Sequence, residues 1–238
     1  MTAKDVETAL KRYADAKDAL FLQSFFKTGE GQYGAGDVFI GVRVPQTRLI
    51  CKQYRALPLT EIQKLLNSPI HECRLAALII LTLQFPKAEP PLQQAIYEFY
   101  LKNVYRGRIN NWDLVDISAE YVVGSYLMER PRDILFTLAK SPELWQRRVA
   151  ILAAFQFVKR GEPGTTLELA EILLYDKADL IQKAVGWQLR EVGKRCDRKI
   201  LTDFLDLHAH EMPRTMLRYS LEHLPPVQKQ HYMQLKMK

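Results

Sequence analysis

Trp112 and Asp116 are the two residues of this sequence whose types and spacing most directly suggest chemistry. They stand four residues apart, so on a helix their side chains share one face. An aromatic ring beside a carboxylate on an accessible wall makes a plausible reaction centre. The alternative is structural: Asp116 could satisfy a neighbouring helix end or pair with an arginine.

An internal repeat makes Asp116 unusual. The segments that begin at Arg74, Arg148 and Lys183 resemble one another and recur at intervals in the thirties, with the run from Asn110 to Asp116 between the first two. In this alignment Asp116 takes the position held elsewhere by Ala77, Ile151 and Gly186. A carboxylate at such an inward position is costly unless it is paired or hydrogen-bonded.

The later repeats supply Arg148 and Trp187. Arg148 lies at the start of an otherwise apolar helix, where its guanidinium could donate two parallel hydrogen bonds to a phosphate. Its alternative role is a salt bridge to Asp116 or Asp113. By composition alone, Trp187 is more typical of a core residue, because it lies among Ala184, Val185 and Leu189.

The repeats predict the fold class. Helical periodicity dominates the chain, and a drifting period in the thirties with two helices per unit is typical of HEAT-like repeats. We therefore predict an all-α, HEAT-like helical-repeat solenoid (an α-α superhelix) with a concave basic face. A solenoid can reach this length without dividing into separate cores, so we expect one domain over residues 1–238.

Helix boundaries follow from proline, serine, aspartate and glycine signals. Ser68-Pro69 predicts a cap and first helical residue before the run 72–84, and a second helix is expected over 144–159. Asp176 or Asp179 is expected to cap the run 180–194. We interpret residues 38–44 as an extended connection, and we predict that Pro45 begins another helix.

Composition limits the class of partner. Lys and Arg outnumber Asp and Glu by 34 to 27, so the formal charge is +7, which favours a polyanion such as nucleic acid. The alternative is an ordinary basic protein. Cys51, Cys73 and Cys196 have no metal-binding or disulfide spacing, and neither a signal peptide nor a membrane-spanning run is visible. We expect a cytoplasmic protein that needs no membrane.

Some patterns are rejected. Gly29 to Gly34 spells GxGxxG, but the dinucleotide fingerprint needs a strand before it and a helix after it, so we interpret a flexible loop. The histidines form no zinc-binding set. His208 and His210 fall on different sides of a helix. Three further histidines look isolated: His71, His223 and His231.

Four separated motifs, in order along the chain, resemble the AlkD family of DNA alkylation-repair glycosylases. They are the runs 39–48, 112–116, 145–152 and 181–191. The resemblance extends from about residue 20 to residue 220. It implies a HEAT-like fold and removal of cationic alkylated bases such as N3-methyladenine and N7-methylguanine.

On this resemblance Asp116, Trp112 and Trp187 match the family's catalytic positions, and Arg148 matches a DNA-binding arginine. Asn111 stands where a second tryptophan can precede the Trp-Asp pair. The resemblance also implies that the lesion is handled from its backbone, in an open cleft and without deep flipping. A base that leaves as a neutral molecule needs little acid catalysis, whereas the sugar gains positive charge that a carboxylate can stabilise.

The expected partner is double-stranded DNA containing alkylated bases, with no cofactor, no metal and no obligate protein partner. We expect a monomer that associates with the nucleoid when it binds DNA. The candidate phosphate contacts are Arg43, Arg48, Lys183, Arg190, Arg214 and Arg218. Two other functions stay open: a non-catalytic HEAT-like module that binds damaged or branched DNA, and a protein-binding scaffold, which would not need Trp112 and Asp116.

Overall fold

The computed structural model describes residues 1–235. This part of the chain is helical and contains no β-strand; one isolated bridge joins Val38 to Ile70. The chain groups into two compact units, one over Met1–Val122 and one that begins at Val123. The all-α prediction of helical-repeat type is confirmed, whereas the single domain and the concave basic face stay predictions.

The first unit consists of short helices joined by turns. Their bounds are α1 Ala3–Lys11, α2 Ala16–Gln23, α3 Val44–Gln53, α4 Leu59–Leu66, α5 His71–Gln84, a 3₁₀ turn Phe85–Lys87, α6 Pro90–Tyr105 and α7 Trp112–Asp116. Helix α5 packs against α1, α3, α4 and α7. Its residues His71 to Leu81 are all buried, as expected for a helix that is apolar on most sides.

A π-helical turn, Glu120–Gly124, follows α7, and the second unit then continues as helix pairs. The bounds are α8 Asp133–Ala139, α9 Leu144–Ala153, α10 Phe155–Val158, α11 Gly164–Ile172, α12 Asp179–Arg195, α13 Arg198–His208, α14 Arg214–Ser220 and α15 Pro226–Gln234. Helix α9 packs on α8 and α12, and α12 packs on α13 and α14. A Cβ atom on Gly186 would lie 2.4 Å from the carbonyl oxygen of Met216, so glycine allows α12 and α14 to approach.

Three predicted helix boundaries were wrong in detail. Pro69 is not the first residue of α5, because residues 69–71 bond to Val38: the Val38 amide donates to the Pro69 carbonyl and the His71 amide to the Val38 carbonyl. The run 144–159 divides into α9 and α10 at Ala154. Ala178, rather than Asp176 or Asp179, is the N-cap of α12.

Candidate active site

Helix α7 carries both residues of the Trp-Asp pair. Asn111 caps it, because its side-chain oxygen accepts a hydrogen bond from the Trp112 amide at 2.8 Å. Leu114 and Val115 are buried beneath the helix. Trp112 and Asp116 are half-buried and line the same cavity, so the fold brings these two predicted site residues together.

The cavity has a volume of about 250 Å³ and lies entirely within the first unit. Most of its wall is apolar, and the polar side chains are few. The aromatic and polar residues of the wall are Phe25, Phe26, Phe39, Trp112, His71, Glu72, Asp113 and Asp116. An apolar cavity with a small number of placed carboxylates is the usual form of a ligand site.

The aromatic side chains of the wall pack on one another. Phe26 stacks on Trp112, with ring centroids 5.1 Å apart and planes inclined by 16°. Phe39 stacks on the His71 imidazole at 4.6 Å, and Phe26 also contacts Phe39 at 4.9 Å. One face of Trp112 is therefore covered by a ring from the segment that follows α2.

Beneath the aromatic rings lies a buried ionic cluster of Asp37, His71, Arg74 and Asp113. The Arg74 guanidinium contacts Asp37 at 2.5 Å, and the Nδ1 atom of His71 lies 3.2 Å from the same carboxylate. The Nε2 atom of His71 lies 2.7 Å from Asp113. Two carboxylates thus face two cationic side chains, which offsets the cost of burying each charge.

The ionic cluster also positions α7. The Asn111 side-chain amide donates to Asp37 at 3.1 Å while its oxygen caps the Trp112 amide. Asp113 holds the same helix through His71. The Oδ1 atom of Asp113 is buried and accepts no hydrogen bond from residues 1–235. The location of Trp112 and Asp116 therefore depends on residues far away in the sequence.

The charge of His71 makes stability depend on pH. Burial lowers the pKa of His71, but the carboxylates of Asp113 and Asp37 outweigh it and raise the pKa to about 9 from 6.5. The charged imidazole contributes its full stabilisation below the unfolded-state pKa of 6.5. That stabilisation is lost as the pH rises through the folded-state pKa of about 9. We expect the free energy of unfolding to fall by roughly 3 kcal/mol between pH 6.5 and 9.

Urea unfolding at several pH values tests this expectation, with His71→Gln as the variant. The free energy of unfolding of this variant should no longer fall between pH 6.5 and 9. The exposed His223 gives a matched control, His223→Gln, which should keep the decline. An unchanged pH profile in His71→Gln would show that the imidazole is not charged in the folded protein.

A further buried carboxylate, that of Glu72, fixes the extended segment that carries Phe39. It accepts hydrogen bonds from the backbone amides of Ile40, Gly41 and Val42 at 2.8 to 3.3 Å. Gly41 has φ +82°, and a Cβ there would lie 2.0 Å from the Asp15 carbonyl oxygen. Glycine is therefore required where this segment crosses the start of α2.

Arg148 and Trp187 belong to the second unit. Arg148 is 5% exposed and donates a hydrogen bond to the Leu180 carbonyl, so part of its guanidinium serves the start of α12. Trp187 is half-buried and packs against Phe155 at 5.8 Å, in a cluster with Val158 and Val192. Their assigned roles stay predictions.

The six candidate phosphate contacts differ in what they already bind. Arg43 pairs with Asp18, Lys183 with Asp179, and Arg190 with Glu191 and Glu222. Arg214 donates to the carbonyls of Met233 and Leu235. The side chains of Arg48 and Arg218 are exposed and form no hydrogen bond or ion pair within residues 1–235.

Sequence reasoning missed the ionic cluster. His71 was expected to be isolated, and that was wrong: it joins two carboxylates and stacks on Phe39. The residues involved stand 34 and 42 positions apart, beyond any local pattern. Arg74 begins one of the repeated segments, and Asp113 adjoins Trp112 in the sequence. Both residues therefore offered a partial indication of the site.

Comparison with known proteins decides the family. The sequence profile described as DNA alkylation repair enzyme matches residues 6–224, which is most of the chain. The chain belongs to the DNA alkylation repair enzyme family. Its membership confirms the AlkD-like resemblance of the four motifs. It also assigns this DNA alkylation repair enzyme a role in the repair of alkylation damage, with DNA as its partner.

A solved structure supports the fold of this family member. It is described as a predicted DNA alkylation repair enzyme from Enterococcus faecalis and is 16% identical. The similarity covers 90% of this chain and 97% of that one, with a TM-score of 0.68. At this identity the likeness establishes the shared fold. Within residues 1–235, no helix has the length and apolar character needed to cross a membrane.

Proposed function

We propose that this DNA alkylation repair enzyme is a glycosylase that hydrolyses the N-glycosidic bond of cationic alkylated bases, without a metal ion. N3-methyladenine and N7-methylguanine are the proposed lesions. The observation that carries the proposal is the joint placement of Trp112 and Asp116 on the wall of one cavity, in a member of a DNA alkylation repair family. The proposed site of action is the cytoplasm, at the nucleoid.

The proposed chemistry follows from the charge of the lesion. Alkylation at a ring nitrogen makes the base cationic, so it departs as a neutral molecule and needs little proton donation. Positive charge moves to the deoxyribose as the bond breaks. The Asp116 carboxylate stabilises that charge and holds the attacking water. Trp112 and Trp187 add cation–π stabilisation of about 0.5–2 kcal/mol each, which leaves the carboxylate as the larger contributor.

The basic side chains supply affinity rather than sequence preference. Arg148 and the six candidate contacts would neutralise phosphates and fix the position of the duplex. Arg48 is one of the two candidates, with Arg218, whose guanidinium forms no hydrogen bond or ion pair within residues 1–235. Binding DNA through Arg48 therefore breaks no ion pair within the described chain.

We expect Arg48→Gln to weaken binding to duplex DNA and to lower the slope of log affinity against log salt by about 1. The exposed Arg55, which is not a candidate contact, gives the matched control Arg55→Gln. Fluorescence anisotropy over a range of salt concentrations measures both slopes. Equal slopes for the two variants would remove Arg48 from the DNA-binding surface.

Base release distinguishes the glycosylase from a non-catalytic DNA-binding module. Duplex DNA containing N7-methylguanine is incubated with the protein in the presence of EDTA, and free base is measured against a protein-free control. Release well above the spontaneous rate supports the metal-independent glycosylase. Binding of the DNA with release only at the spontaneous rate would favour the binding module.

A further inference from the structure

We propose that Phe26 is a positioning residue of this enzyme: its ring holds the Trp112 indole in the orientation in which the opposite indole face meets the deoxyribose of the lesion. This inference rests on the proposed glycosylase and adds a residue that acts through Trp112. Phe26 stacks on the indole with ring centroids 5.1 Å apart and planes inclined by 16°. One face of Trp112 is therefore closed to a sugar, and only the other can stack on it.

The indole needs this support because its own helix provides little. Trp112 is the first residue of α7, which has five residues. Side chains of a helix lean toward its N-terminus and pack on the preceding turn, but no turn of α7 precedes Trp112. The orientation of this half-buried side chain therefore depends on other elements, and Phe26 supplies a ring that lies nearly parallel to it.

Phe26 is itself held in place by its backbone and by its ring. Its amide donates a hydrogen bond to the Gln23 carbonyl at 2.9 Å, in the turn that follows α2. Its ring lies 4.9 Å from the Phe39 ring and 5.0 Å from the His71 imidazole, measured between centroids. Aromatic contacts at these distances stabilise beyond the area that they bury. The plane of Phe26 is therefore fixed by packed neighbours.

One histidine holds both the indole and its helix. The Nε2 atom of His71 lies 2.7 Å from the carboxylate of Asp113, the residue that follows Trp112 in α7. The imidazole of the same histidine contacts the ring of Phe26. A substitution at Phe26 therefore frees the indole but leaves the hydrogen bond between His71 and Asp113 that holds α7.

The orientation of the indole matters because the attraction between an aromatic face and a cation is directional. It requires the positive charge to lie over the ring face, within about 6 Å of the centroid. An indole without its stacked neighbour can rotate about its side-chain bonds and would lie over the sugar for only part of the time. Loss of the Phe26 ring should therefore slow base release, and it should spare DNA affinity because it removes no charge.

The first test is a double-substitution cycle. Phe26→Leu should lower the single-turnover rate of base release from N7-methylguanine DNA by about three- to tenfold and leave the affinity for that DNA within about twofold. In a chain that carries Trp112→Leu, the same change should have no further effect on the rate, since residues that act as a unit are not additive. A general effect on stability would instead lower the rate equally in both backgrounds.

Two variants separate the ring of Phe26 from the size of its side chain. Phe26→Tyr keeps the ring and should release base at the wild-type rate. Phe99→Leu makes the same substitution at another half-buried position, in α6 and outside the cavity wall, and should also keep that rate. Circular dichroism checks that the variants fold. If Phe26→Leu does not fold, Phe26→Met takes its place.

Acrylamide quenching of Trp112 fluorescence tests the stack independently of base release. The other two tryptophans, Trp145 and Trp187, are first replaced by phenylalanine. Quenching should rise in Phe26→Leu and stay unchanged in Phe99→Leu, because only the first uncovers an indole face.

Unchanged quenching in Phe26→Leu, a wild-type rate in that folded variant, or equal rate losses with and without Trp112 would overturn the inference. A wild-type protein that binds methylated DNA and releases no base would contradict the glycosylase instead. Quenching would still decide whether Phe26 holds the indole.

Discussion

Asp116→Asn is expected to lower base release from N7-methylguanine DNA by about 100- to 1,000-fold, the loss typical of removing one charge-stabilising group from a transition state. The amide keeps the size of the side chain but not its negative charge. Affinity for DNA should stay within about threefold, because the substitution leaves every proposed phosphate contact in place. Single-turnover kinetics and anisotropy measure the two quantities.

Asp203→Asn is the matched control for the loss of a carboxylate. Asp203 is exposed in α13, where it pairs with Lys199, and it contributes nothing to the cavity wall. Its variant should release base at the wild-type rate. If Asp116→Asn also kept wild-type activity, Asp116 would have no part in the reaction.

Asp37→Ala should cause the largest loss of stability. It leaves the cations of Arg74 and His71 buried without their shared carboxylate and removes the acceptor that holds Asn111. Breaking a buried ion pair from one side costs about 3–5 kcal/mol. Urea unfolding at neutral pH should show a loss of this size, and base release should fall because the N-cap of α7, Asn111, loses its hydrogen bond to Asp37.

The exposed ion pair of Asp179 with Lys183 gives the control. Asp179→Ala should change the free energy of unfolding by no more than about 1 kcal/mol, as is usual for surface pairs. A similarly small change in Asp37→Ala would mean that the buried ionic cluster does not hold the first unit together.

Much of the fold was predictable because helical periodicity is a local property. The end of α5 at Gln84 and the extended run before Pro45 follow from residues within a few positions of each other. The start of α5 was not predictable, since it depends on hydrogen bonds between Val38 and residues 69–71. Pairing across thirty residues overrides the local proline signal.

The candidate site divides in the same way. Trp112 and Asp116 could be predicted to share a face, because their spacing matches a helical turn. Asp37, His71 and Asp113 could not be joined by spacing, since each comes from a different element. Phe26 follows α2 in a segment with no periodic pattern, so its stacking on Trp112 is known only from the fold.

The most direct measurement counts both products of one turnover. Duplex DNA with a single N7-methylguanine is treated with excess protein, and mass spectrometry quantifies free methylated base and abasic sites. Glycosylase action predicts equal amounts of the two, formed far above the spontaneous rate and almost absent with Asp116→Asn. DNA that is bound but releases neither product, or that loses the methyl group while keeping guanine, would contradict a glycosylase.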